Sequence, residues 1–225
     1  MSPVPGRASA PALASSIDAE IRALAVQNTP NVRGVRREYS RRLRDADPAL
    51  VLALARELLG NYRRRWVAYE LIAEHKGAFQ RLSEAELQEL GQGIDSWSSV
   101  DSFARTLAGP AWRDGLVSDD LIHRWAHARD RWWRRAALVS TVALNVRSHG
   151  GTGDVPRTLA VCRLLAGDQD DMVYKALSWA LRELVVHDPA AVEAFLHEYD
   201  GILAARVKRE VRNKLETGLK NPRQP

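Results

Sequence analysis

The sequence predicts an all-α fold built from antiparallel helix pairs, and two observations carry this prediction. Apolar residues recur at helical spacing in stretches of about 10 to 16 residues, and β-branched residues are scattered among Ala, Leu, Arg and Glu. Almost no segment shows the strict alternation that is typical of strands. Helix-start signals also recur at a fixed interval along the chain. We therefore expect helices throughout and no strands.

The helix-start signals define a repeated unit of 34 to 36 residues. They are N-cap residues, followed in two cases by Pro and in one by the Glu of a candidate capping box, at Asp47, Ser83, Ser118, Asp154 and Asp188. Each unit holds two helical stretches, such as residues 49–59 followed by residues 64–75. This period is typical of α-solenoids, in which each pair buries its apolar stripe against its neighbours. Because the TPR consensus is not visible, the period favours HEAT-like repeats: about five pairs after a less regular pair at residues 13–25 and 32–45.

The domain organisation predicted from the sequence is a single HEAT-like repeat domain over residues 13–220. Residues 1–12 (MSPVPGRASAPA) lack the basic start and apolar core of a secretory signal, and we expect a disordered leader there, with a C-terminal tail at 221–225. The Gly-rich segment SHGGTG at 148–153 is expected to be a loop between helices. The single cysteine, Cys162, excludes an internal disulfide, which favours a reducing, cytoplasmic location. No apolar run reaches the roughly 18 residues of a membrane helix.

The charge distribution favours an anionic partner. The net charge is +5, and residues 31–65 contain ten Arg against four acidic residues. Arg is the side chain best suited to bidentate contacts with phosphate. A genome rich in G and C also raises the Arg content, so the local excess is the stronger signal. Stacked helix pairs curve, and we expect the array to present a concave basic face.

Tryptophan is unevenly placed, with five of the seven between positions 97 and 133. Trp66, Trp112 and Trp125 sit among aliphatic residues and are predicted to fill gaps in the core. Trp97 differs, because it lies in IDSWSSVDSFA at the entry to a helix, four residues before Asp101. At helical spacing the indole and the carboxylate share one face. This pair is the first candidate for a functional site.

A second candidate is the segment RDRWWRRAALVST, in which Arg131, Arg134 and Arg135 occupy the first turn of a helix. Positive charges at the N-terminus of a helix interact unfavourably with the helix dipole, so we expect a nearby anion to offset them. A phosphate is one such partner, and an ion-pair network with the protein's own carboxylates is the alternative.

A third candidate is MVYKALSWALREL, where Lys175, Trp179 and Arg182 follow one another at spacings of four and three. A stripe of cation, aromatic ring and cation is how a helix presents a surface to a nucleic-acid backbone. A solvated helix edge is the alternative.

These three segments resemble the signature segments of the AlkD-type DNA alkylation repair proteins, which are DNA glycosylases built from HEAT-like repeats. The quoted segments are SWSSVDS, RWWRRAALV and KALSWALREL, and the resemblance extends from about residue 32 to the C-terminal helix RVKREVRNKLETGL. It implies that Asp101 is the catalytic carboxylate, Arg135 its neighbouring cation, and Trp97 and Trp179 the rings that line the lesion site. The family's Gly-aliphatic-x-x-Pro-x-Arg segment is replaced by NVRGVRR at residues 31–37, so the N-terminal helices are expected to differ.

The resemblance also implies an activity: a monofunctional glycosylase that releases N3- or N7-alkylated purines from double-stranded DNA with little or no base flipping. No cofactor and no metal are expected, since His123 and His127 share a helical spacing without the Glu of a zincin motif. We expect a monomer that binds duplex DNA through Arg134, Lys175, Arg182, Arg36, Arg37, Arg64 and Arg65. Two alternatives stay open: a non-catalytic solenoid that binds DNA or protein, and a relative specialised for bulky alkyl adducts.

Overall fold

The computed structural model describes residues 9–222, and within this range the regular structure is entirely helical. The all-α prediction is confirmed. The chain divides into two compact units between Gln92 and Gly93, whereas the sequence predicted one domain over residues 13–220. Each unit is built from helices that pack pairwise. The basic concave face stays a prediction.

The first unit contains six helices within its described residues. They are α1 (Ala10–Arg22), α2 (Thr29–Arg42), α3 (Pro48–Gly60), α4 (Arg65–Glu74), α5 (Lys76–Phe79) and α6 (Glu84–Leu90). Helix α1 packs on α3, and α2 packs on α4, as expected of stacked helix pairs. Helix α1 begins three residues before the predicted start of the domain, because Ser9 caps it and Pro11 lies in its first turn. Residues 10–12 of the predicted leader are therefore helical, and its residues 1–8 lie outside the described residues.

The second unit contains the remaining helices. They are α7 (Trp97–Phe103), a π-helical turn (Ala104–Ala108), α8 (Gly109–Arg113), α9 (Asp119–Ala126), α10 (Arg131–Asn145), a 3-10 turn (Arg147–His149), α11 (Val155–Leu164), α12 (Asp171–Leu184), α13 (Pro189–Glu198) and α14 (Ala205–Thr217). Helices α10, α12 and α14 pack in succession, and α9 packs on α11. Helix α10 is central, since every residue from Arg135 to Asn145 is buried. Within residues 9–222, none of the helices combines the length and apolar character that crossing a membrane requires.

Local capping chemistry explains why the helices begin where the sequence predicted. All five predicted start residues are N-caps, and four of them accept a hydrogen bond from a backbone N–H of the first turn: Asp47, Ser83, Asp154 and Asp188. Ser118 caps α9 without such a bond. Trp112 and Trp125 are 1% and 3% exposed, which confirms them as core residues. Trp66 is half-buried, and the Arg33 guanidinium lies 5.7 Å from its ring centroid.

Ion pairs between residues about one repeat apart tie neighbouring helices within each unit. An arginine and a carboxylate 33 or 34 positions apart meet at Arg36–Glu70, Arg56–Glu89, Arg134–Asp168 and Arg135–Asp101. The repeat period inferred from helix starts therefore also appears in the side-chain contacts. It brings residues that are distant in sequence into contact.

Helix α8 approaches α10 closely at Gly109. A Cβ at this position would lie 2.5 Å from the Ser140 carbonyl oxygen and 2.7 Å from the Ala143 Cβ. Gly109→Ala is therefore expected to lower the free energy of unfolding by about 1 to 3 kcal/mol, because backbone must shift to make room. Gly34 of α2 has no atom within 4 Å of the place that an added methyl would occupy, and Gly34→Ala should instead stabilise by about 0.5 kcal/mol. Chemical denaturation of both variants checks this, and equal effects would contradict the close approach.

Candidate active site

The first turn of α7 presents Trp97 to solvent beside Asp101. Ser96 caps the helix: its hydroxyl accepts from the Ser99 backbone N–H at 3.4 Å, while the Ser99 hydroxyl accepts from the Ser96 N–H at 3.1 Å. This capping box makes Trp97 the first helical residue, and its side chain is 60% exposed. Asp101 follows one turn later on the same face. The exposed indole is available to contact a ligand.

Asp101 and Arg135 form a two-point ion pair. Nε of Arg135 donates to Oδ1 of Asp101 and one terminal nitrogen donates to Oδ2, both at 2.8 Å. The other terminal nitrogen donates to the Met172 carbonyl at 2.5 Å. The Arg135 side chain is 7% exposed and the Asp101 side chain 20%. Helices α7, α10 and α12 are thus joined at one point, and the carboxylate keeps an edge open to solvent.

The protonation of Asp101 is set by opposing effects. Burial raises the pKa of the Asp101 carboxyl above its ordinary value, while the hydrogen bonds and charge of Arg135 and the charge of Arg105 act in the opposite sense. The ionised form of this carboxyl therefore depends on its two arginine neighbours.

The hydrogen bonds of Arg135 are made to groups of the protein itself. Each of the three guanidinium nitrogens donates to a protein oxygen, and the side chain is only 7% exposed, so little of the group is accessible to a ligand. Arg135 is placed to orient the Asp101 carboxylate.

Trp179 lies on α12, two turns beyond Met172. Residues seven apart lie on the same side of a helix, so Trp179 shares the side of α12 whose Met172 carbonyl receives Arg135. The indole is half-buried, and its Nε1–H donates to Glu183 at 2.9 Å. This bond fixes the ring on the helix surface. Its assignment to the lesion site stays a prediction.

The other predicted cations of this unit contact acidic groups of the protein. Arg134 donates to Asp168 at 2.7 Å and to two backbone carbonyls. Lys175 pairs with Asp171, and Arg182 lies 3.9 Å from Glu210. Arg131 also pairs with Asp170 at 3.4 Å, so the cationic first turn of α10 has the internal ion-pair network that the sequence left as an alternative. DNA contacts by these residues stay predictions.

The predicted DNA-binding arginines of the first unit differ in their surroundings. Arg36 is buried and donates to Glu70 at 2.8 Å, and Arg64 donates to Asp18 at 2.9 Å. Arg65 donates to the Tyr69 hydroxyl at 3.3 Å. Exposed Arg37 lines an open cleft of about 580 Å³ whose other lining residues are Gly34, Arg36, Ser40, Arg41, Arg44 and Glu74. The cleft is strongly basic, which fits the charge excess seen in this segment.

Two residues near Asp101 were missed by sequence reasoning. Arg105 lies in the π turn that follows α7, and its guanidinium contacts Nε2 of His149 at 2.6 Å. His149 belongs to the segment that the sequence marked only as a loop. The sequence signal that could have identified Arg105 is its position four residues after Asp101, about one helical turn away. Single π turns are rare and often accompany functional sites.

Fold and site together define a class: an all-α repeat protein in which a partly buried carboxylate–guanidinium pair lies beside an exposed indole. The sequence matches the family model described as DNA alkylation repair enzyme over residues 7–215. The match covers most of the chain, and the chain belongs to this family of DNA repair enzymes. No curated protein matches the sequence.

Proposed function

We propose that this protein is a monofunctional DNA glycosylase that hydrolyses the N-glycosidic bond of N3- or N7-alkylated purines in double-stranded DNA. The observation that carries the proposal is the Asp101 carboxylate, held at two points by Arg135 and one turn from the exposed Trp97 indole. Membership of the DNA alkylation repair enzyme family supports the choice of substrate.

The chemistry needs a fixed negative charge more than a strong base. As the purine departs, positive charge develops on the deoxyribose, giving an oxocarbenium-like transition state. A carboxylate oriented before the reaction stabilises this charge and can position the attacking water. Arg135 orients Asp101, and the exposed edge of the carboxylate is where the sugar would approach. An alkylated purine that is already cationic leaves as a neutral base, so no general acid is required.

The indoles would favour charged lesions. A cation over an indole face gains about 0.5 to 2 kcal/mol, depending on desolvation. Trp97, at 60% exposure, can reach a ligand that stays at the protein surface. Such a contact suits an enzyme that acts with little or no base flipping, in contrast to glycosylases that enclose the extruded base.

Base release is the direct test of this proposal. Wild-type protein is incubated with a duplex carrying one 7-methylguanine, and free base is quantified against enzyme-free depurination and an unmodified duplex. We expect free 7-methylguanine and a strand that breaks only on alkaline treatment. Strand cleavage without alkali would contradict the monofunctional assignment, and absence of free base would contradict the glycosylase.

One observation favours the non-catalytic alternative. The Asp101–Arg135 pair joins three helices, which is also what a purely structural ion pair does. That function predicts that the protein binds damaged and undamaged duplexes equally and releases no base over hours.

Within the enzyme class, comparing the release of 7-methylguanine with that of a bulky N3-adenine adduct separates a general repair enzyme from a specialised one.

Trp97→Ala and Trp179→Ala are each expected to lower the preference for cationic lesions by about 2- to 30-fold, the range that follows from the cation–indole attraction. The measurement compares Kd for a duplex with a cationic N7-alkylguanine and one with a neutral isostere. Trp132→Ala is the control, because this half-buried indole already contacts Arg131, 4.8 Å from its centroid. If both variants keep the preference of wild type for the cationic lesion, the lesion does not bind at either indole.

A further inference from the structure

The candidate site lacks an obvious ligand for the phosphate next to the lesion. Arg135 and Arg134 lie in the first turn of α10, and each is paired with a carboxylate: Asp101 and Asp168. An arginine neutralised in this way has little charge left to offer a phosphate. A cation that binds the backbone beside Asp101 should be exposed and should not be neutralised by an acidic partner.

Arg105 meets both conditions. It is exposed, and its described side-chain contact is with the imidazole of His149, at 2.6 Å from Nε2. Because a guanidinium can only donate, Nε2 of His149 must accept and the ring proton must lie on Nδ1. The imidazole is then neutral, so it orients the guanidinium without cancelling its charge.

The protein holds His149 in this state. The His149 carbonyl accepts from Arg113 at 2.5 Å, which fixes the loop that carries the ring. Gly150 follows with φ of 86°, a conformation that glycine adopts readily, and permits the sharp turn there. Desolvation, together with the charges of Arg105 and Arg113, lowers the pKa of His149 and favours the neutral ring.

We propose that Arg105, oriented by His149, is the binding site for the DNA backbone phosphate adjacent to the lesion. This inference rests on the proposed function. Arg105 lies four residues beyond Asp101 on the same continuous helical run, a rise of about 6 Å at 1.5 Å per residue. That spacing is comparable to the separation between a sugar and the phosphate of its own nucleotide. A phosphate held at Arg105 would bring its sugar to the exposed edge of the Asp101 carboxylate.

The first arm of the test measures duplex binding against salt concentration. Arg105→Gln should weaken binding by about tenfold and lower the slope of log K against log salt by about one, as expected for one lost phosphate contact. Arg209→Gln, at an exposed position of α14, is the control for losing one charge elsewhere. His149→Ala should weaken binding less, and should add nothing in the Arg105→Gln background.

The second arm uses the pH profile of single-turnover base release. Asp101 faces Arg135 of α10 and Arg105 of the π turn, and the charge of Arg105 lowers its pKa. Removing that charge should raise the pKa of Asp101, so the acid limb of the Arg105→Gln profile should move to higher pH. This shift tests the charge that Arg105 places near Asp101, whereas the salt slope tests its contact with phosphate.

The outcomes separate the two proposals. If wild-type protein releases base while Arg105→Gln keeps the salt slope of wild type, the phosphate site is wrong and the glycosylase stands. If wild-type protein releases no base, the glycosylase is wrong, and an unchanged salt slope in Arg105→Gln would reject the phosphate site as well.

Discussion

Asp101→Asn is expected to lower the single-turnover rate of 7-methylguanine release by about 100- to 1,000-fold, the usual cost of removing one pre-oriented electrostatic group from an active site. The reason is the loss of the negative charge that faces the developing oxocarbenium ion. The amide has nearly the shape of the carboxylate and can still accept a bond from Arg135. Duplex affinity should therefore change little, which separates a loss of chemistry from a loss of binding.

Asp168→Asn is the matched control for this variant. Asp168 pairs with Arg134 across the same sequence separation of 34 residues, and its side chain is 12% exposed. In each variant an amide replaces a largely buried carboxylate that pairs with an arginine of α10. Only Asp101→Asn should reduce base release, and thermal melts establish that both proteins are folded. Equal release by wild type and Asp101→Asn would contradict the assigned mechanism.

The helical framework could be predicted because its causes are local. Capping by Asp47, Ser83, Asp154 and Asp188 depends on side chains within three residues of the backbone groups that they satisfy. The division into two units was not predicted, although Gln92 lies between Gly91 and Gly93, because a short Gly-containing turn is also what joins helices within one unit. Boundaries of compact units depend on long-range packing that one repeat period does not reveal.

The part of the site whose residues lie one repeat period apart could be predicted from the sequence. Asp101 and Arg135 lie 34 positions apart, close to one period, and the structure joins them directly. Arg134 and Asp168 are also 34 positions apart, although Asp168 lies in the connection before α12 and not on a helix. The contact between Arg105 and His149 was not predictable, because it requires a π turn and a loop closed by Arg113. Repeat spacing finds pairs that are one period apart and misses this contact, whose residues are 44 positions apart.

Arg135→Met is expected to lower the free energy of unfolding by about 3 to 5 kcal/mol, because it leaves the Asp101 carboxylate partly buried without its cation. The Met172 carbonyl also loses its donor. Arg134→Met should cost less, since the Arg134 side chain is 21% exposed against 7% for Arg135. Urea denaturation measures both, and equal losses would mean that solvent screens the Asp101–Arg135 pair.

The pH dependence of stability and a double variant distinguish a structural role of the Asp101–Arg135 pair from a catalytic role of Asp101. Burial raises the pKa of Asp101, so the folded state takes up its proton at a higher pH than the unfolded state, and stability owed to this proton grows as pH falls. A protonated Asp101 needs no guanidinium, so the stability deficit of Arg135→Met should shrink on acidification. Asp101→Leu/Arg135→Met replaces the ion pair by apolar groups and should recover most of the lost stability. A stable double variant that releases no base would assign the carboxylate to the reaction itself, whereas one that retains base release would leave the pair a purely structural role.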